Sequence, residues 1–406
     1  MLASSVVSPA APSSDARPRL FIPSLPTLDP LQLLPSLEPR RPHIYPLSQL
    51  ATPSAQLFYL ARAGVYHTIK HWLGDDATRN VVLMPAYHHG VEVEAVRAAG
   101  ARVVFYRVDR DLRIDLDDLA AKAARPDVRV VYVTHYAGFA QPIADALAIA
   151  RARKGVRLFE DCALSLFART PDGVPLGSFG DASCFCLYKS LPLPHGGLLL
   201  ARDVPVADVT APPLMSTLHH VAGLALAHLE LHSSGLGRAV RQAARKTSQA
   251  TVDKAVATVK TGTMHLAEAE LHLGASALVQ AMLPRFDDAM VVVRRRRNFT
   301  RLAAALADVI EVVHHPLPAG ACPLFLPVRV DTARGGNKAH IVAQLHARGI
   351  DAIDFWSSSD PECDPAEFPE SALLRAEILE LPCHQSLDDD AIDRVAHAVK
   401  QVLAHA

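Results

Sequence analysis

Residues Val156–Arg202, VRLFEDCALSLFARTPDGVPLGSFGDASCFCLYKSLPLPHGGLLLAR, decide how the rest of the chain is read. Val156–Phe159 is a short, mostly apolar, β-prone run that delivers Glu160 and Asp161 at its C-terminal end. Ala182–Tyr188 is a second such run and delivers Lys189. A turn with Pro192, Pro194, Gly196 and Gly197 follows, and Leu198–Leu200 resume the sheet. In open α/β sheets ligands bind beyond the carboxyl ends of strands, so Asp161 and Lys189 can face one ligand. A desolvated ammonium group loses its proton more readily than in water and becomes a nucleophile. Lys189 is therefore a candidate Schiff-base lysine and Asp161 a candidate partner for a pyridinium nitrogen, the pair that pyridoxal 5'-phosphate requires. Taken singly, a surface lysine after a strand and a helix-capping aspartate explain the same residues.

The arrangement says more. E-D-C-A at 160–163, G-S-F-G-D-A-S-C-F at 177–185 and K-S-L-P-L-P-H-G-G at 189–197 closely resemble the DegT/DnrJ/EryC1/StrS sugar aminotransferase family. The resemblance implies an α/β chain of the PLP-dependent transferase fold type I. Its large domain is a doubly wound, mostly parallel sheet, joined by a small C-terminal α+β domain, and the assembly is a homodimer. In that family the aspartate of E-D-x-A meets the cofactor ring nitrogen, and a lysine shortly before a double glycine holds the aldehyde. Asp161 and Lys189 fall on those positions.

Composition sets the bounds. At 406 residues and 50% hydrophobic, the chain can bury one large core and a smaller companion. Lys plus Arg (41) nearly balances Asp plus Glu (42), so no charge excess points to nucleic acid or an anionic membrane. Of the six cysteines, Cys184 and Cys186 form a C-x-C pair whose strand alternation puts both on one face. No zinc spacing and no secreted disulfide framework is present, which favours a reducing cytoplasm. The longest apolar candidate for a membrane span, Val221–Leu229, is interrupted by His228. The start, MLASSVVSPAAPSS, lacks the basic and hydrophobic regions of a secretory signal. The expectation is a soluble cytoplasmic protein.

Residues 1–45 are rich in Pro, Ser and Ala and read as an N-terminal arm, disordered over 1–18 and extended beyond, either wrapped on a partner subunit or unattached. Residues 46–282 read as the large cofactor-binding domain, with 205–282 a helical extension, and 283–406 as the small domain. Apolar positions recur with helical spacing from Gln56 to Trp72. The resemblance gives Gly64 and Val65 the cofactor phosphate, since a glycine at a helix N-terminus lets backbone N–H groups approach an anion. Val81–Met84 reads as a strand leading into Tyr87, His88 and His89. The family's ring-stacking side chain matches His89 in position, with Tyr87 and His88 as neighbours that could serve instead. His88 with Glu92 offers a metal pair, but no third ligand is in view. Val103–Tyr106 and Val130–Val133 alternate with helical stretches, and the second leads into His135, matched to the wall of the family's cofactor cavity. His228 and His232 read as exposed helical histidines, and Arg294–Arg297 as a solvated helix face. Ile378–Leu387, ILELPCHQSL, resembles the family's ending and starts the last strand and helix.

The chain departs from the family in places. Leu164 stands where many members place Gln or His against the cofactor's phenolic oxygen. Cys186 stands where a serine meets the phosphate, and His195 replaces an acidic residue before the double glycine. No N-x-R phosphate contact is recognisable in 260–282. The expected activity is amino transfer from a donor such as glutamate to a keto acceptor, as in nucleotide-linked keto sugars, with Lys189 as the proton shuttle. Two rival readings use the same scaffold: a pyridoxal-phosphate lyase or dehydratase, and a noncatalytic binding or scaffold member.

Overall fold

The computed structural model describes residues 21–33, 42–76, 78–233, 235, 237, 239–240, 265–354 and 356–404. Seven strands form its main sheet: β1 (Ala55–Phe58), β2 (Val81–Pro85), β3 (Arg102–Tyr106), β4 (Val128–Thr134), β5 (Arg157–Asp161), β6 (Ala182–Cys186) and β7 (Gly197–Ala201). Their order is β1-β7-β6-β5-β4-β2-β3. From β6 to β3 each neighbouring pair is parallel, while β7 runs antiparallel to both β6 and β1. Strands β2, β6 and β7 are buried at every position, as expected of near-continuous apolar runs covered on both faces. Helices α1 (Ala61–Leu73), α2 (Val91–Ala98), α3 (Leu116–Ala123) and α4 (Ile143–Arg151) lie between successive strands. The register sets Thr134 of β4 opposite Asp161 of β5, and Asp161 opposite Cys184 of β6. Three chemistry-bearing side chains thus share the carboxyl edge of the sheet.

Two boundaries differ from the sequence expectation. The helical spacing over Gln56–Trp72 conceals a strand, because Ala55–Phe58 pairs with β7 and the helix begins only at Ala61. Over four residues an apolar pattern fits either period, and the available sheet edge decides. Strand β6 stops at Cys186, so Lys189 sits in the helical turn Leu187–Ser190 rather than directly after a strand.

The second sheet is antiparallel, in the order β10-β9-β8, from β8 (Glu311–Val312), β9 (Phe325–Arg329) and β10 (Ile378–Pro382). The ILELP run supplies β10, and the helix Asp389–Leu403 follows with Ile392, Val395, Ala396, Val399 and Val402 buried at helical spacing. Gly138 fastens this unit to the main sheet. Its φ of +95° and a would-be Cβ 2.0 Å from Cys322 O require glycine, while Ala137 O and Gly138 O accept from Leu324 N and Cys322 N.

Two regions correct the sequence reading. Adjacent residues on a helix point about 100° apart, so the arginines of Asp288–Leu306 cannot share one solvated face. Arg294 and Arg297 are exposed, but Arg295 is 1% exposed and donates to Pro323 O, Leu324 O and Ser190 O. The described part of the N-terminal arm is held by contacts within its own chain. Ile22 bridges Ile350, His384 Nε2 donates to Pro23 O at 3.0 Å, and Ser24 gives both N–H and hydroxyl to Asp351 Oδ2. Residues 1–18, expected to be disordered, lie outside the described residues, as does 241–264 of the expected helical extension. Its described part holds the helix Leu214–His232, where His228 is half-buried and meets Thr27 Oγ1 at 3.3 Å, rather than exposed.

Candidate active site

A cavity of about 220 Å³ lies at the carboxyl edge of β4, β5 and β6, lined also by Phe325 of β9 and by Ser24 and Leu25 of the N-terminal arm. Asp161 and Lys189 both line it. Asp161 is 6% exposed. Its Oδ2 accepts from the Tyr132 hydroxyl at 2.8 Å and its Oδ1 from Ala163 N at 2.8 Å, which fixes the carboxyl plane. Burial, followed by the charge of Glu92, raises the Asp161 pKa, while those hydrogen bonds and Lys189 pull it back. A cation placed against this carboxyl would complete the compensation that Lys189 begins.

His89 and Cys186 also line the cavity, together with Cys184. Both thiols are on one face, as the C-x-C alternation requires, and burial pushes both up, so they are neutral small hydrophobes here. Burial, then the positive charges of Lys189 and Arg62, lowers His89 to about 3, leaving a neutral, flat ring. Glu92 Oε1 accepts the His89 backbone N–H at 2.8 Å and so fixes the start of α2. Val65 reaches the cavity from α1.

The other expected site residues lie elsewhere. Gly64 does not line the cavity; it packs toward β7, where a Cβ would meet Leu199 Cβ at 3.1 Å. The first turn of α1 comes three residues earlier than the positional match, and its Ala61 and Arg62 are the residues at the cavity. His135 is buried behind the wall. Its Nδ1 accepts from Gln141 N at 3.1 Å, which leaves the proton on Nε2 to donate to Glu160 Oε2 at 3.3 Å. Glu160 also accepts from Gly177, Phe179 and Gly180 N–H, so the His135–Glu160–Cys162 cluster is a satisfied buried network. Tyr87 is turned away against Trp356 and Tyr136. His88 is held between Pro85 O and Asp360 N and stacks on Phe105, so both ring nitrogens of the considered His88–Glu92 metal pair are taken.

Several residues shape the site through contacts distant in sequence. Gly197 is one: a Cβ there would sit 2.3 Å from Ala61 N, so only glycine lets the first turn of α1 lie against β7. Arg62, in that turn, is 8% exposed and reaches Glu270 Oε2 at 3.3 Å. Ser190 O, directly after Lys189, accepts from both Arg295 at 3.2 Å and Gln385 at 2.8 Å, so the second sheet's unit holds the Lys189 turn.

These donors fit one kind of group. Thr134 Oγ1 is buried without a partner among the described residues, beside a carboxyl that a cation would complement. The amine of Lys189 lines the same cavity, and a helix N-terminus with an arginine suits an anion. A cationic ring nitrogen, an aldehyde and a phosphate match that set in charge and chemistry, so the residues fit pyridoxal phosphate.

Residues 73–400 match the model of the DegT/DnrJ/EryC1/StrS aminotransferase family. The chain belongs to this family. Among curated proteins, it is 29% identical over 343 residues to the dTDP-4-dehydro-2,3,6-trideoxy-D-glucose 4-aminotransferase of Saccharopolyspora spinosa, covering 82% of this chain and 79% of that one. A glycine dehydrogenase (decarboxylating) of Gluconobacter oxydans is 34% identical over 133 residues, 31% of this chain and 14% of that protein. The chain thus spans a small part of that relative. In fold it resembles the Helicobacter pylori aminotransferase PseC, with a TM-score of 0.65 at 16% identity, covering 96% of this chain and all of the other. The aminotransferase TlmJ of Streptoalloteichus hindustanus gives a TM-score of 0.58 at 23% identity, covering 87% and 86%. The family consists of pyridoxal-phosphate-dependent aminotransferases, and the type I fold expected for this chain is the one these neighbours share. Among the described residues no helix is long and apolar enough to cross a membrane.

Proposed function

We propose that this family member transfers an amino group from a donor such as glutamate to a nucleotide-linked keto sugar. The observation that carries the reading is Asp161 and Lys189 lining one buried cavity. When bound, pyridoxal phosphate supplies an aldehyde and a ring that accepts electrons. Asp161, held by Tyr132 and Ala163, keeps a proton at the ring nitrogen. Ala61 and Arg62 bind the phosphate at the N-terminus of α1. The neutral ring of His89 would support the face of the cofactor ring, and Cys186 lines the same cavity. Lys189 would hold the aldehyde end of the group, and its amine would take and return a proton at the reacting carbons. The apolar walls keep bulk water from that proton.

The S. spinosa relative, matched over most of both chains, supports the nucleotide-sugar acceptor. We further read residues 46–282 as the large cofactor-binding domain and 283–406 as the small one, in a cytoplasmic homodimer. Six unpaired, buried cysteines suit a reducing compartment. The test is a glutamate half-reaction on cofactor-loaded protein, which should form 2-oxoglutarate and the amine form of the cofactor in equal amounts. Carbon dioxide or ammonia in place of 2-oxoglutarate would reject amino transfer.

A further inference from the structure

Arg375 is a buried cation that the mechanism above does not use. It stands on the helix Pro369–Glu377 and is 8% exposed, and burial lowers its pKa. Among the described residues its hydrogen-bond partners are four backbone carbonyls and no carboxylate. Nη2 donates to Ala86 O at 3.0 Å and Nη1 to His88 O at 2.9 Å, on the loop that leaves β2. Nη1 also donates to Trp356 O at 2.9 Å and to Ser358 O, on the segment that precedes the arginine's own helix. Tyr87, between Ala86 and His88, turns its ring to the same guanidinium, 5.4 Å from the ring centre.

A charge taken out of water without a counter-ion is costly, and here carbonyl dipoles replace the lost hydration. They do so by drawing two chain segments onto one planar fork. Each segment carries a residue of the cavity lining: His89 directly follows His88, and Trp356 is itself one of the acceptors. His88 is held from its ring as well, between Pro85 O at 3.0 Å and Asp360 N at 3.3 Å, which leaves the backbone at 88 little room to move. Resting on the reading of the cavity as a pyridoxal-phosphate site, we infer that Arg375 is a positioning residue of that site and acts through His89. It fixes the backbone that carries His89 into the cavity, and it makes that position depend on the second sheet's unit.

The experiment titrates full-length protein with pyridoxal phosphate by absorbance in four forms: the parent, Arg375→Lys, His89→Ala and the double variant. Lysine keeps the charge but offers one nitrogen where the fork spreads two. Arg375→Lys should raise Kd roughly tenfold in the parent, a coupling of the size found within one network, and by less than about twofold once His89 is alanine. The absorbance maximum of the bound cofactor in Arg375→Lys should also move toward that of His89→Ala. If the lysine variant does not fold, Arg375→Gln carries the same comparison. An equal fold-rise in both backgrounds would make Arg375 a general support of the fold and overturn the inference, while leaving the cofactor site intact. So would an unchanged Kd in Arg375→Lys. A parent protein whose spectrum does not respond to pyridoxal phosphate overturns the cofactor reading, and the inference with it.

Discussion

Glu380 offers a sharp test of the packing argument. It stands on β10, whose Leu379 and Leu381 face the core of the second unit while Ile378 faces the main sheet, so alternation turns Glu380 toward the interface between them. It is 5% exposed, and Oε2 has no hydrogen-bond partner among the described residues. Burial pushes its carboxyl up to about 8 from the ordinary 4.5, with Lys189 and Lys338 pulling the other way. Because the folded pKa is raised, the unfolded chain ionises first. Stability is therefore fully present below pH 4.5 and lost as pH rises toward 8. At about 1.36 kcal/mol per pK unit the ceiling on that loss is about 5 kcal/mol, and about 2–3 kcal/mol once relaxation and water entry soften the buried charge. Glu380→Gln removes the titration. Urea midpoints at pH 5.5 and 8.5 should then show the variant gaining on the parent by about two thirds of that amount at the higher pH, whatever the amide costs at both. Parallel pH profiles for the two proteins would refute the reasoning.

Two further substitutions test the frame around Lys189 and α1. Gly197→Ala puts a Cβ 2.3 Å from Ala61 N, so the first turn of α1 must retreat; a fluorescence titration should give a roughly tenfold or greater rise in Kd for pyridoxal phosphate. Arg295→Met strips donors from Pro323 O and Leu324 O and leaves Ser190 O to Gln385 alone, at a cost of about 2–4 kcal/mol in urea unfolding. Arg295→Lys should recover only part of this, because one ammonium cannot reproduce the guanidinium fork that reaches three carbonyls.

The parallel strands, the closing strand and helix, and the placing of Asp161 and Lys189 at one cavity were legible because Asp161 ends one short apolar run and Lys189 lies three residues beyond the end of another. The phosphate end was not. Gly64 looks like the glycine of an anion-binding turn, yet α1 starts at Ala61, and the glycine that matters for the approach is Gly197, 136 positions further along the chain. His135 was matched by its place after β4, but side chains alternate along the strand path. Thr134 faces the cavity and His135 goes behind it to Glu160. Arg295 was grouped with its basic neighbours because charge runs read as solvated faces, whereas its burial depends on three carbonyls distant in sequence. The arm's return to Ile350 and Asp351 is likewise a long-range pairing that a proline-rich composition does not disclose.

The central claim is that Lys189 and Asp161 serve one bound cofactor. Borohydride reduction of the protein loaded with pyridoxal phosphate, followed by peptide mass mapping, tests it most directly. The account predicts the reduced cofactor on Lys189 in near-stoichiometric yield in the parent protein, and a large fall in that yield in Asp161→Ala. Label on a different lysine, or labelling of Lys189 indifferent to the loss of Asp161, would contradict it.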